Sequence, residues 1–307
     1  MTDSAAKVEP VSAADYETAM EFLACGRRGA GEEEPAASAA TPAHLWWARR
    51  GRKPVAAAAV VENPGKTGTL ICCRASAPPV EAQALVRVVR AVSIEALYSG
   101  MSLVQCMLRP HENANVEVVR DAGFTLLAEL VFLRRPLCRS DASAEAQRDG
   151  LTWRDRRRYG DDELGAVIAA TYEHSMDCPG LAGLRDVSDV IAGHKATGQF
   201  RPESWWIVEL DGKPAGCMLV NDIPISLTSE VVYLGVTPGF RRRGLARRML
   251  RLAAADAAAR GMAWLSLAVD DRNAVAKALY LSEGFRRTDS RLAFLMARSA
   301  VDAPSKT

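Results

Sequence analysis

The chain repeats itself. Gly123-Phe124 and Gly284-Phe285 each close an apolar helical stretch, and 284 − 123 = 161. The same shift carries Gly100-Met101 onto Gly261-Met262, with no gap between these anchors. Further upstream, Trp46-Trp47 followed by Lys53-Pro54 matches Trp205-Trp206 followed by Lys213-Pro214. The shifts there are 159 and 160, a difference that one or two loop residues absorb. Matched dipeptides in one order define two homologous halves, so each half must bury a core of its own. A length of 307 residues suits two such domains. The segment CRSDASAEAQRDG has the Ser, Ala and charge content of a connector. It sets the expected division: a first domain over 12–137, a linker over 138–150 and a second domain over 151–298. A second soft stretch, 26–41, reads as a loop from its Gly, Glu, Ala and Ser content.

The second half alternates between strand and helix patterns. Strands are predicted over 151–153, 205–210, 215–220, 230–236, 263–269 and 292–296. Helices are predicted over 163–174, 244–260 and 273–283, the last two ended by Gly261 and Gly284. Asp211-Gly212 joins two strands as a hairpin turn. Hairpin-linked early strands and helix-separated later ones imply a mixed α/β fold. Each domain is expected to be a mixed, mostly antiparallel sheet flanked by helices.

The sharpest local pattern is VVYLGVTPGFRRRGLARRML. A β-rich run ends at Val236, and Arg241-x-x-Gly244-Leu245-Ala246 then opens a helix. Small residues at Gly244 and Ala246 let backbone N–H groups approach a ligand closely. At a helix N-terminus those donors and the positive dipole end favour a phosphate. Arg241, Arg242, Arg243 and Arg247 can add charge-assisted hydrogen bonds to a pyrophosphate. Without an anion, so many cations at a helix start would oppose its dipole. Neither a Walker loop nor a dinucleotide fingerprint is present here.

This stretch resembles the acyl-CoA-binding motif of the GNAT acetyltransferase superfamily, in which Q/R-x-x-G-x-G/A cradles the CoA pyrophosphate. The downstream VDDRNAVAKALYLSEGF resembles the family's next motif, Asn-x₆-Tyr before Gly-Phe. The likeness spans residues 151–298, and the tandem arrangement is similar in architecture to the mycothiol synthase branch of the family. The resemblance implies acetyl-CoA as cosubstrate, with Leu234, Gly235 and Val236 along the pantetheine arm. It also implies Asn273 near that arm, though Asn273 equally suits the cap of the following helix. Tyr280 falls where the family places a tyrosine beside the CoA sulfur. A phenol with a pKa of about 10 stays protonated at neutral pH and can reprotonate a leaving thiolate; as a core aromatic it would only pack. Glu230, six residues before Val236, would share a strand face with Val232, Leu234 and Val236. It is a candidate acceptor for the ammonium proton, or else a strand-end charge. Asp177, Cys178, Arg185 and His194 fall where the family's fold lines the acceptor side, with Cys178 read as structural.

Shifted by 161, Arg241, Gly244 and Ala246 become Val80, Gln83 and Leu85 in the first half, after Pro78-Pro79. Tyr280 becomes Val119 and Asn273 becomes Glu112, with Asn113 one step away. The first domain therefore reads as a degenerate GNAT-like domain without an intact CoA site. The second reads as an acetyl-CoA-dependent N-acetyltransferase acting on a small-molecule or peptide amine in a ternary complex. Transfer to a hydroxyl, a longer acyl group, or a CoA-binding regulatory module without turnover are the alternatives.

Composition narrows the partners. A net charge of +2 gives no electrostatic case for nucleic acid or an anionic membrane. No apolar run suits a bilayer span, and the polar N-terminus lacks a signal-peptide core. Seven cysteines without CxxC spacing, and four histidines without HExxH, imply free thiols in a reducing cytoplasm and no metal. A monomer or homodimer is expected.

Overall fold

The computed structural model describes residues 6–27, 41–75, 79–143 and 150–302. Residues 28–40, most of the soft stretch, and 144–149, in the expected linker, lie outside the described residues, as does Pro78. The chain forms two compact units, one of residues 1–127 with 292–307, the other of residues 128–291.

The first unit carries β1 (Lys7–Pro10), α1 (Tyr16–Arg27), β2 (His44–Arg50), β3 (Lys53–Asn63), β4 (Thr67–Cys72), α2 (Pro79–Tyr98), β5 (Leu103–Leu108) and α3 (Asn113–Asp121). The chain then runs through β6 (Thr125–Pro136) and α4 (Arg139–Ser143) into β7 (Leu151–Asp155), α5 (Asp161–Tyr172), α6 (Val187–Ala196), β8 (Trp205–Leu210), β9 (Lys213–Ile223), β10 (Thr228–Val236), α7 (Leu245–Ala259), β11 (Trp264–Asp270) and α8 (Ala274–Ser282). It closes with β12 (Arg286–Ala297) and α9 (Arg298–Val301). No helix among the described residues is long and apolar enough to cross a membrane.

In the first unit the strands run in the order β1, β2, β3, β4, β5, and residues 292–297 of β12 then pair antiparallel with β5. In the second, residues 130–136 of β6 pair antiparallel with β11, which is followed by β10, β9, β8 and β7. The final strand of each half thus completes the sheet of the other unit. The units divide after 127 and after 291, whereas composition placed a linker over 138–150. Part of that stretch is helical, as α4, where Asp141 pairs with Arg135 and accepts the Cys138 N–H at 2.9 Å. Successive elements are usually neighbours, and a strand that departs from this rule carries no local mark of doing so.

Both units repeat one local arrangement. β4 and β5 pair in parallel at Thr67↔Leu103, and β10 and β11 pair in parallel at Thr228↔Trp264, the 161-residue shift again. Each parallel ladder is three residues long.

The second unit buries both faces of its sheet. On one, Met249, Leu250 and Ala253 of α7 join Met218, Val220 and Leu265 in the core. On the other, Leu164 and Ile168 of α5 and Ile191 of α6 join Trp205, Ile207 and Leu219. Each such large apolar side chain contributes about 1.5–3 kcal/mol on burial. Trp205 is wholly buried and donates its indole N–H to Asn221 at 2.8 Å. Asn221 in turn donates to the carbonyls of His194 and Thr197 at the end of α6, at 2.7 and 2.6 Å. The β8–β9 turn has positive φ at both Asp211 and Gly212, as a type I′ hairpin requires.

Candidate active site

The site begins where β10 and β11 part. Their ladder ends at Glu230↔Ser266, and beyond it β10 bulges at Val232, between its pairings Val231↔Val220 and Tyr233↔Leu219. A bulge adds one residue to one strand and re-aims the side chains after it. Glu230 therefore shares a sheet face with Tyr233 and Gly235, opposite Asn221, Leu219 and Cys217. Simple alternation, with Glu230 on the face of Leu234 and Val236, is corrected by that one residue. Leu234 and Val236 belong instead to the α7–α8 face.

A cleft of about 770 Å³ opens past the parting point. Leu234, Gly235 and Val236 form one wall, and Asn273 and Tyr280 another. The start of α7 closes one end with Gly244, Leu245, Ala246 and Arg247. Gly244 sits at φ +76° as the N-cap, and no side chain caps the helix. Its first-turn N–H donors accordingly point out of the helix end without a side-chain partner. A Cβ built on Gly244 would meet nothing within 4 Å, so the space before these donors is open. Donors, dipole and room coincide there, as an anion site at a helix N-terminus needs.

The four arginines of the cradle are used differently. Arg241 lines the cleft, but its guanidinium donates to the carbonyls of Thr171 (3.1 Å), Glu173 (2.6 Å), His174 (3.1 Å) and Val236 (3.0 Å). It clamps the C-terminal end of α5, where carbonyls lack helical partners and a cation suits the dipole. Arg247 bonds the buried Glu283 at 2.6 Å and Ser282 Oγ at 3.1 Å. Arg243 lies over the Phe240 ring, 5.4 Å from its centre, and is not among the lining residues. Arg242, at φ +63°, lines the cleft. Backbone donors and Arg242 thus remain the groups best placed for a phosphate; the sequence assigned all four arginines to it.

Tyr280 is 8% exposed, and its ring centre lies 5.9 Å from that of Phe285. Burial, then the nearby Asp177 carboxylate, push its phenol above the ordinary value, so the hydroxyl is protonated at neutral pH. Asn273 Oδ1 accepts the Ala276 N–H at 3.1 Å, capping α8, while Asn273 also faces the cleft. Glu230 is not among the lining residues; burial raises its carboxyl above the usual range.

The far wall comes from the end of α5 and the segment after it. Thr171, Tyr172, Asp177 and Tyr233 line it. Thr171 Oγ1 and the Tyr233 hydroxyl are 2.5 Å apart, and a Cβ on Gly235 would come within 2.6 Å of Thr171. Gly235 is therefore what allows α5 to approach the strand. Asp177 accepts the Asp270 N–H at 2.9 Å, and burial raises its carboxyl. Cys178 is pushed up to about 12 by burial, then by Asp177 and Asp270, which makes it an inert thiol rather than a nucleophile. His194 packs 5.6 Å from the Tyr233 ring and is pushed down to about 4 by burial, then by Arg185, so it is neutral at pH 7. Thr171, Tyr172 and Tyr233 were not singled out from the sequence; the bulge that turns Tyr233 toward α5 has no signature there.

Comparison with known proteins places this geometry. Residues 168–285 match the acetyltransferase (GNAT) family model. This segment is a GNAT domain. A mycothiol acetyltransferase of Streptomyces avermitilis is 31% identical over 173 residues, 56% of this chain and 54% of that protein. Another, from Streptomyces bingchenggensis, is 30% identical over 177 residues, 56% of each. The match thus spans about half the length of these relatives. Among solved structures, a GCN5-related N-acetyltransferase from Sphaerobacter thermophilus has a TM-score of 0.60 at 17% identity, covering 97% of both chains. A tandem GNAT protein from the clavulanic acid biosynthesis pathway has a TM-score of 0.53 at 13% identity, covering 98% of this chain and 100% of its own. At such identities the likeness is one of fold: a mixed α/β chain of tandem GNAT type.

Proposed function

We propose that the GNAT domain of the second unit transfers the acetyl group of acetyl-CoA to a primary amine, both substrates being bound together. One observation carries this reading: the uncapped start of α7 and the phenol of Tyr280 open into the same cleft where β10 and β11 part. Phosphate binding at the helix end would place a thioester arm along Leu234 to Val236. Backbone groups of that segment on the β11 side lie beyond the end of the parallel ladder, which suits them to an amide-bearing arm. Tyr280 then reprotonates the thiolate as it leaves. The mycothiol acetyltransferase relatives support a small amine as acceptor.

Glu230 is the proton acceptor in this reading, on the α5–α6 face beside Tyr233. A carboxylate acts as a base only when ionised, and burial raises its pKa. Turnover should therefore rise with pH through a value above the ordinary carboxylate range. Glu230→Gln should remove that rise, because an amide accepts no proton. A variant with the full wild-type pH profile would mean that the amine loses its proton to solvent before binding.

The activity itself is tested by thiol release from acetyl-CoA against amines, amino acids, polyamines and peptide N-termini. Acceptor-dependent release supports the reading. Tight acetyl-CoA binding with no release for any acceptor would favour a regulatory module without turnover.

A further inference from the structure

Four arginines of the second unit are matched by carboxylates or carbonyls. Arg154 bonds Glu163 and Glu209, Arg260 bonds Asp222 and Asp256, Arg247 bonds Glu283, and Arg241 bonds four carbonyls. Arg185 breaks the pattern. It sits on the segment between Leu181 and α6, with most of its surface covered, yet among the described residues its guanidinium makes no hydrogen bond or ion pair. Its electrostatic neighbours are Tyr172, Asp189 and His194, and burial lowers its pKa. A half-buried cation costs solvation free energy, and among the described residues Arg185 has only the longer-range attraction of Asp189 and Tyr172 to offset it.

The surroundings suit a ligand. Tyr172 and Tyr233, with ring centres 6.1 Å apart, both line the cleft, and His194 packs on Tyr233. His194, neutral at pH 7, brings no competing charge. Glu230 lies on the same sheet face as Tyr233. Of the charged groups on that side, Asp177 lines the cleft and is held by the Asp270 N–H, while Glu230 and Arg185 stand just behind the lining residues, Glu230 on the face of Tyr233 and Arg185 beside Tyr172.

Resting on the acetyl-transfer reading, we infer that Arg185 selects acceptors that carry a carboxylate as well as the amine. The planar guanidinium can take a carboxylate through two parallel N–H···O bonds, a geometry that an ammonium cannot reproduce. The acceptor class would then be a free amino acid or a short peptide with a free C-terminus. Its ammonium would be directed to Glu230 and its carboxylate to Arg185.

Matched acceptors that differ only in carboxylate against carboxamide test this by thiol release with the full chain. The wild type should favour the carboxylate member about 10- to 100-fold in kcat/KM, the range for hydrogen bonds to a charged partner. Arg185→Gln should bring that ratio close to one, and Arg185→Lys should restore part of it by returning charge without the fork. Calorimetry with acetyl-CoA on the same preparations shows that each variant is folded, since donor affinity should be retained. A wild type that treats both members alike, or an Arg185→Gln variant that keeps the preference, would overturn the inference while leaving acetyl transfer intact. Failure of the wild type to bind acetyl-CoA would instead remove the reading on which the inference rests.

Discussion

Replacing Tyr280 with Phe should lower turnover roughly 10- to 1,000-fold, the span expected for loss of one positioned acid. The substitution deletes only the phenol O–H. The ring stays in the core with Phe285, so the packing of α8 against the sheet is kept. Acetyl-CoA affinity should therefore change little, and the loss should fall on kcat. The raised phenol pKa makes the expectation sharper, because Tyr280 is a proton donor at every pH near neutrality. A Tyr280→Phe enzyme with wild-type turnover, under conditions where chemistry limits the rate, would leave the tyrosine as packing alone.

The second large effect concerns the start of α7. Gly244→Gln copies the residue that the first half carries at the shifted position, Gln83. Acetyl-CoA affinity should fall by at least about 100-fold, the cost of losing two hydrogen bonds to a charged group. In the free protein a Cβ at Gly244 meets nothing, so the folded core has no clash to relieve. What remains is backbone strain, since φ +76° suits glycine and costs other residues about 1–2 kcal/mol. Gly244→Ala carries that strain without the reach of the glutamine. Binding retained by Gly244→Ala and lost by Gly244→Gln would show that access of the ligand, rather than the turn, is what the glycine protects. Equal losses in both variants would assign the effect to the turn.

The sequence made the second half legible where the signal was local. The Trp205–Leu210 strand, the Asp211-Gly212 turn and the Asn273 cap all follow from residue type and period, and the structure has each of them. Helix α6 was not anticipated; the region was read only for its polar groups, although α6 is what carries His194. Three further features depend on partners far away in the chain. The bulge at Val232 is a property of two strands in register, and it moves Glu230 to the face opposite Leu234. Arg241 reads as a phosphate ligand in VTPGFRRRG because nothing nearby says that the end of α5 lies within its reach. The exit of β12 into the first unit at residue 292 is decided by pairing with β5, and β5 lies almost two hundred residues upstream.

The degenerate reading of the first half gives the account its most direct test. Val119, at the position shifted from Tyr280, is wholly buried in the first unit's core, and Leu85, at that of Ala246, is buried within α2. Neither offers a donor or an open helix end to a phosphate. We therefore expect one acyl-CoA site per chain, in the second unit. Isothermal titration of the full chain with acetyl-CoA measures this without knowledge of the acceptor. One equivalent bound, and none in the Gly244→Gln variant, is the predicted result. Two equivalents, or undiminished binding in that variant, would contradict it.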